Sequence, residues 1–472
     1  GIDIKPIHID TLISMPINHQ MPCRNIPYEN RAKVQQMVKL YVEEGFYIKG
    51  SSPTVSGMVT VMKPDGSPRI CSDFRWLNKH LRGFNSFLPD IRQSLEAMAG
   101  FTIFAELDWL KAYRQFPIDE ETGLLLAMIT PYGVIKPRFL PEGVATATSI
   151  MQHHVQNFYA HLSDFTIMIA DNILVGGKNI SDLRLNVGEV LEVALQRNII
   201  LSMKKSNFGL KNIQFFGYQL REGSYEIDEG KRKAVSDIQC PRTWKTMKSF
   251  IGLAGFFSPF ICKYSDKAAQ LHKASSKTFD WKDKETVRIV DEVVEEMKKA
   301  MINSTEIYFP DRRFPWVLRT DASLLGIGGV LLQVIPRHVA KEKGLIPKEG
   351  EDSIMQPIWF GSMKFSTQAA TWSTIEQETF SIVYCLKKLQ YYLSQRPFIL
   401  ETDHANILYL EKSDVPKLVR WRLYLQEFDF LLRHIPGFRN LVADFYSRHR
   451  MEIVAIEAEE ENLQEGEDML KI

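Results

Sequence analysis

Residues Thr166 to Gly177 read T-I-M-I-A-D-N-I-L-V-G-G, two apolar runs joined by a polar step. Short apolar runs on either side of such a break pair as strand, turn, strand, which holds Asp171 at the bend. A carboxylate between two apolar strands loses hydration and is costly unless it binds something. Taken alone, the stretch is also satisfied by an ordinary hairpin in which Asp171 and Asn172 supply turn chemistry. The rest of the chain decides between the two.

Upstream, F-T-I-F-A-E-L-D-W-L-K-A-Y-R-Q places Asp108 at the end of an apolar strand, with Tyr113 and Gln115 on a turn into helix. Earlier still, K-P-D-G-S-P-R-I-C-S-D-F-R-W-L-N puts an Asp65-Gly66 hairpin turn between strands carrying Lys63 and Arg69. Singly these read as a capping Asp and a solvated basic hairpin. Together, and in this order, they closely resemble the reverse transcriptase of gypsy-type LTR retrotransposons (Metaviridae), whose motifs run roughly K-K-D-G-x-x-R-x-x-x-D-Y-R-x-L-N, L-D-L-x-x-x-Y-x-Q, P-F-G-L-x-N-A-P-x-x-F-Q and Y-x-D-D.

The resemblance continues through F-L-P-E-G-V-A-T-A-T-S-I-M-Q (Phe139 to Gln152), where Glu142, Thr146, Thr148 and Met151 depart from the usual residues. K-K-S-N-F at Lys204 and F-F-G-Y-Q-L-R-E-G at Phe215 resemble the approach to a primer grip, and Ser249 to Ile261 resembles a thumb signature. L-R-T-D-A-S, E-Q-E-T-F-S-I-V, L-E-T-D-H and N-L-V-A-D-F-Y-S-R match the family's ribonuclease H domain. Similarity thus runs from about Ile26 to Arg448.

The resemblance implies an α+β multidomain chain: a right-hand polymerase of fingers, palm and helical thumb, followed by an α/β ribonuclease H-like domain. Residues 1–235 would form fingers and palm with an N-terminal arm, 236–308 the thumb, 309–450 the ribonuclease H domain and 451–472 an acidic tail. It also implies site residues. Asp108 and Asp171 would hold two divalent cations, Mg²⁺ with Mn²⁺ as substitute, about 3.5–4 Å apart, the backbone carbonyl of Trp109 assisting. Asn172 stands where the family keeps a third Asp, so the site keeps an amide oxygen and loses a charge. Two origins stay open for it, a drifted lineage, favoured by Ile169 and Ala170 beside it, or an engineered isosteric swap. Lys63 and Arg69 would meet the incoming triphosphate, Lys as a point charge and Arg through its bidentate fork. The ring of Tyr113 would clash with a ribose 2′-hydroxyl.

The second constellation is Asp321, Glu378, Asp403 and Asp444, again with two cations, because four converging carboxylates are unfavourable without them. Glu376, two residues from Glu378, points elsewhere on its helix. His434 and the His153-His154 pair read as structural or surface groups. Implied partners are RNA template, DNA primer, RNA/DNA hybrid and deoxynucleoside triphosphates, with a homodimer left open and no membrane. The implied setting is intracellular, in cytoplasmic virus-like particles. The rival reading is a polymerase-inactive nucleic-acid scaffold or structural subunit with residual ribonuclease H; Asn172 favours it, and Lys63, Arg69, Tyr113 and the second acidic set weigh against it.

Composition adds a few bounds. Among 472 residues, 45% hydrophobic, large cores and two to four domains are expected. Net charge is +1, but residues 451–472 hold eight acids against Lys471, a net of −7, leaving about +8 on the rest. Five scattered cysteines without C-x-x-C spacing argue against a zinc site and for a reducing compartment. No apolar run spans a bilayer and no signal peptide is recognisable. The chain opens on Gly, which suits release from a polyprotein or a trimmed chain.

Periodicity predicts a helix over Tyr28–Glu44 stopped by Gly45, helices over Ile91–Met98, Thr146–His161 and Leu183–Arg197, and strands near Ile199 and Phe215. The stretch from Ile238 to Phe309 reads as almost wholly helical. Strands follow at Trp316–Thr320 and Gly326–Gln333, where Gly328-Gly329 allows bulging or close approach. Pro336–Asp352 reads as a surface loop and Ser373–Leu393 as a long helix. The missing charge at Asn172 yields a first prediction: primer extension in Mg²⁺ is slow and rises in Asn172→Asp. An unchanged rate in that variant, with activity abolished by Asp171→Asn, would remove position 172 from the metal site.

Overall fold

The computed structural model describes all residues except 13, 17, 64, 85, 87–88, 262–263, 323–325, 343–344, 346–351, 367, 404–414, 436–469 and 472. The chain divides into two compact units, Gly1–Ile213 and Gln214–Ile472.

The first unit is built around an antiparallel sheet in the order Asn207–Leu210, Ile103–Asp108, Asn172–Gly177, Thr166–Ile169. Alternation fixes its faces. Ala105, Leu107, Ile173 and Val175 turn toward the helices Ala147–Tyr159 and Ile180–Gln196, packing with Ile150, Met151, Val155, Leu183, Val187 and Val190. Glu106, Asp108 and Asn172 therefore lie on the other face. Gly177 lets the second helix approach, since a Cβ there would lie 2.6 Å from the Leu183 backbone. Near Ile199 the expected strand is reduced to a single bridge, Leu201 to Trp109, and the ladder forms at Asn207–Leu210 instead.

A second sheet in this unit carries the basic hairpin. Thr54–Met62 pairs antiparallel with Pro68–Ser72, and Gly66, at φ +74°, supplies the left-handed turn residue that an Asp-Gly pair predicts. Helix Arg31–Glu43 covers it, burying Val34, Val38 and Tyr41 with Met58, Ile70, Met128 and Ile135. The N-terminal arm is extended, as its composition suggests, yet it is pinned. Ile2, Ile7 and Ile9 are buried, and the Ile2 and Ile7 amides donate to the carbonyls of Gln115 (2.8 Å) and Pro117 (2.9 Å).

The second unit opens with the strands Tyr218–Arg221 and Ser224–Ile227, followed by helices Glu229–Ser236, Trp244–Phe257, Tyr264–Ala274 and Lys284–Ile302. The helical stretch ends earlier than periodicity suggested, because Ile307–Tyr308 joins the Ser224–Ile227 edge as a strand. A mixed sheet then runs in the order Ser353–Lys364, Gly326–Pro336, Trp316–Ala322, Phe398–Thr402, Phe430–His434, with the pair Leu470–Lys471 at the far edge. Trp316–Ala322 is antiparallel to Gly326–Pro336 and parallel to Phe398–Thr402. Helix Thr374–Leu393 lies across one face, its Ile382, Val383, Cys385, Leu386 and Leu389 packing with Leu318, Leu331, Leu400 and Leu432.

Part of the predicted loop Pro336–Asp352 is not a loop. Arg337–Glu342 is a helix whose Ala340 packs with Phe314 and Ile335, and that small apolar contact gives the polar segment its structure. Gly329 meets the expectation of close approach: a Cβ there would stand 2.4 Å from the buried Cys385 Sγ. Gly329→Ala should therefore overpack this contact and lower stability by about 1–3 kcal/mol in chemical denaturation. Combining it with Cys385→Ala should return part of the loss; strictly additive losses would show that the strain lies elsewhere.

Candidate active sites

Asp108 ends its strand directly opposite Asn172 in register. The hairpin turn consists of Ala170 and Asp171, with Ala170 at φ +54°, an unfavourable left-handed conformation for a residue with a Cβ. Gln152, fully buried on its helix, holds that turn: the Ala170 amide donates to Oε1 (2.8 Å) and Nε2 donates to the Met168 carbonyl (3.0 Å). The Trp109 amide donates to the Asp171 carbonyl (3.0 Å), tying the turn to the residue after Asp108. Gln115 works similarly below the site, bonding the Leu110 and Ile200 carbonyls and the Ile200 amide, each at 2.8 Å.

Lys205, from K-K-S-N-F, stands 3.2 Å from each carboxylate oxygen of Asp108. Its neighbour Ser206 accepts from the Asp108 amide at 3.2 Å. Burial pushes the Asp171 carboxyl above its ordinary range, and the charges of Asp108 and Glu142 push it further, against the pull of Lys205. Two carboxylates brought together at the ends of adjacent strands, Asp171 with its ionised form disfavoured by burial, are hard oxygen donors that suit a divalent cation. Asn172 adds an uncharged donor on the same face.

Of the implied nucleotide contacts, Lys63 is exposed at the end of its strand and Arg69 is exposed on the return strand. The Arg69 guanidinium is ion-paired with Glu142. Tyr113 sits on the 3-10 turn Ala112–Gln115, with its hydroxyl 3.0 Å from Thr148 Oγ1. Of His153 and His154, the first is exposed and near Asn157, and the second stacks among Phe116 and Phe158, with no acidic partner in these contacts.

In the second unit, Asp321 lies late in its strand, Asp403 follows Phe398–Thr402, and Glu378 lies on the second turn of the long helix. One carboxylate oxygen from each falls within 4.8 Å of the others. An all-oxygen acidic triad of this kind fits a hard cation. Asp444 lies outside the described residues. Glu376 is engaged elsewhere: it accepts from the Ser373 amide (2.8 Å) and hydroxyl (3.0 Å) in a capping box and pairs with Lys417 at 2.7 Å. Burial raises its carboxyl, but the bonds from Lys417 and Ser373 outweigh this and hold it below the usual range. A ring nitrogen of His434 stands 3.0 Å from the Asp403 carbonyl.

Two residues before the acids, Arg319, Glu401 and Arg433 form a row across three adjacent strands in strict register. Glu401 is 1% exposed and is ion-paired to both arginines. Sequence reasoning missed this row, the Lys205–Asp108 pair and the hold of Gln152 on the turn. Only the position of each residue inside a motif hinted at a role, since their partners are distant in sequence or on another strand.

Comparison with known proteins follows the same division. Residues 61–220 match the reverse transcriptase (RNA-dependent DNA polymerase) family, and residues 311–428 match the RNase H-like domain found in reverse transcriptase. The chain is similar to the transposon Tf2-7 and Tf2-8 polyproteins of Schizosaccharomyces pombe, 26% identical to each over 441 residues, or 91% of this chain. It spans 32% of the length of those polyproteins. Among solved structures it resembles the foamy viral protease-reverse transcriptase in complex with dsDNA (TM-score 0.74, 19% identity, 92% of this chain and 88% of that one). The same foamy viral protein in complex with RNA/DNA hybrid gives a TM-score of 0.71 at 18% identity, covering 98% of this chain and 60% of that one. At such identities the likeness is one of fold. The two family matches thus follow one another along the chain, the first over the Asp108–Asp171 hairpin site and the second over Asp321, Glu378 and Asp403.

The Tyr113–Thr148 contact separates two properties of one side chain. Tyr113→Phe should keep sugar discrimination because the ring remains, whereas Tyr113→Ala should admit ribonucleotides on a fixed template. Equal discrimination in Tyr113→Ala and the unaltered chain would refute the role of the ring.

Proposed function

We propose that this chain is the reverse transcriptase and ribonuclease H of a gypsy-type (Metaviridae) LTR retrotransposon, copying RNA and then DNA from a DNA primer and degrading the used RNA. The observation that carries the reading is the pairing on one chain of the Asp108–Asp171 hairpin site with the Asp321–Glu378–Asp403 triad. The working division is fingers and palm to residue 235, thumb to 308 and ribonuclease H to 450, within a longer polyprotein whose products act in cytoplasmic virus-like particles.

Mg²⁺ or Mn²⁺, when bound, would activate the attacking oxygen and neutralise the leaving group; Asp108 and Asp171 would hold it in the palm, and Asp321, Glu378, Asp403 and Asp444 in the second site. Lys63 and Arg69 bind the triphosphate, whose charge exceeds what two carboxylate-bound cations offset. Tyr113 closes the space a 2′-hydroxyl would need. Gln152 keeps Asp171 aimed by fixing the amide and carbonyl on the strained side of its turn. Asn172 accepts weakly and lowers the charge of the palm site, so polymerisation is the slower of the two activities. The same residue motivates a second reading, a polymerase-inactive nucleic-acid-binding scaffold or structural subunit that retains hybrid cleavage alone.

The test is hydrolysis of a labelled RNA/DNA hybrid beside its equilibrium binding at fixed salt. Asp321→Asn and Glu378→Gln should abolish cleavage and leave binding largely intact, because affinity comes from phosphate contacts spread over the surface. Glu376→Gln, which removes the ion pair with Lys417 and keeps an oxygen for the Ser373 amide, should cleave normally and lose about 1 kcal/mol of stability. Persistent cleavage in Asp321→Asn, or equal loss in Glu376→Gln, would mean that the nuclease site is drawn wrongly.

A further inference from the structure

Arg69 is not waiting with a free guanidinium. Its partner Glu142 comes from a segment 73 residues away, and the backbone around that acid is fixed on both sides. The Leu140 amide donates to the Phe116 carbonyl (2.9 Å), Asn78 Nδ2 donates to the Gly143 carbonyl (3.0 Å), and the Ala145 amide donates to Asn78 Oδ1 (2.9 Å). Leu140 and Pro141 are buried just before the acid. The backbone at Glu142 is therefore held beside Arg69 by its own loop. Its charge also reaches the metal-binding turn, where it is one of the groups acting on Asp171.

Arg69 offers one planar fork, and carboxylate and phosphate oxygens compete for the same N–H donors. A triphosphate entering the palm meets a guanidinium whose charge is already offset and a carboxylate that repels it. We infer that Glu142 is a built-in competitor for Arg69 that the nucleotide must displace, and that this residue, one of the departures in the third motif, sets the affinity for the incoming triphosphate. The inference rests on the proposed role of Arg69 as a phosphate contact. Displacement is feasible because both partners are substantially exposed, 53% and 39% at the side chain, so the pair is weak in water while several phosphate charges act on the other side. Because the competition ends once the nucleotide is seated, it raises the nucleotide KM and leaves kcat nearly untouched. When pyrophosphate departs, Glu142 recovers Arg69.

The experiment uses the full chain on a dideoxy-terminated primer–template, so that no bond forms and the weakened palm chemistry does not enter. Binding of the next complementary deoxynucleoside triphosphate with Mg²⁺ is read as nucleotide-dependent retention of primer–template against competitor. Glu142→Gln should bind the nucleotide about threefold to tenfold more tightly, with a gain that shrinks as salt rises. Glu142→Asp, which keeps the charge on a shorter stem, should lie between. Arg69→Gln should bind weakly, and adding Glu142→Gln to it should bring a smaller gain than Glu142→Gln brings alone, since only the direct repulsion remains to be relieved; an equal gain would contradict competition for Arg69. Equal or weaker binding in Glu142→Gln, with primer–template binding intact, would overturn the inference and make Glu142 a support for Arg69. Unaltered nucleotide binding in Arg69→Gln would instead overturn the phosphate-contact role itself. Should Glu142→Gln fail to fold, Glu142→Asp decides alone, since no gain over the unaltered chain contradicts competition.

Discussion

Carboxylates gathered at the ends of strands repel one another and lose hydration, and each of the two sites depends on how that cost is met. In the palm, Asp108 is offset by Lys205, which stands against both of its oxygens, while Asp171 is left partly buried with a raised carboxyl. On the second sheet, the triad of Asp321, Glu378 and Asp403 lies just beyond a row in which the buried Glu401 is flanked by Arg319 and Arg433. Removing both arginines would leave the buried Glu401 charge uncompensated, a loss of several kcal/mol in comparable cases. The row therefore locks the register of the strands that carry Asp321 and Asp403.

The two sites differ in how far they depart from the family pattern. In the palm, the changes fall on one segment and one turn. Glu142 holds Arg69, Thr148 meets the Tyr113 hydroxyl and Gln152 secures the turn through the Ala170 amide, so the 139–152 segment touches two of the implied nucleotide contacts and the residue before Asp171. Asn172 removes a charge from the same place. Among the described residues of the second site, all three acids are present and grouped. On the proposed reading, this distribution leaves the nuclease chemistry in place and slows the polymerase chemistry through charge.

Much of this was legible in the sequence because the elements that matter are local. The Thr166–Gly177 hairpin and the Asp65-Gly66 turn each declare themselves within about twelve residues, and helical geometry alone separates Glu376 from Glu378. What the sequence hides is non-local or too short to show a period. Lys205 and Asp108 are 97 residues apart, and the Arg319–Glu401–Arg433 row exists only once three strands are in register. Arg337–Glu342 is a six-residue helix with one buried residue, so polar composition pointed to a loop. The Ile-rich arm carries no periodicity, yet Ile2, Ile7 and Ile9 are buried and its backbone bonds to the 115–119 segment.

On the proposed reading one chain holds two cation-dependent sites, a nuclease and a charge-depleted polymerase. The most direct measurement follows both strands of one labelled RNA/DNA primer–template in a single reaction with the unaltered chain, in Mg²⁺ and then in Mn²⁺. The account predicts rapid cleavage of the RNA in Mg²⁺, slow extension of the DNA in the same tube, and faster extension in Mn²⁺. Rapid extension without RNA cleavage, or no RNA cleavage with either cation, would contradict it.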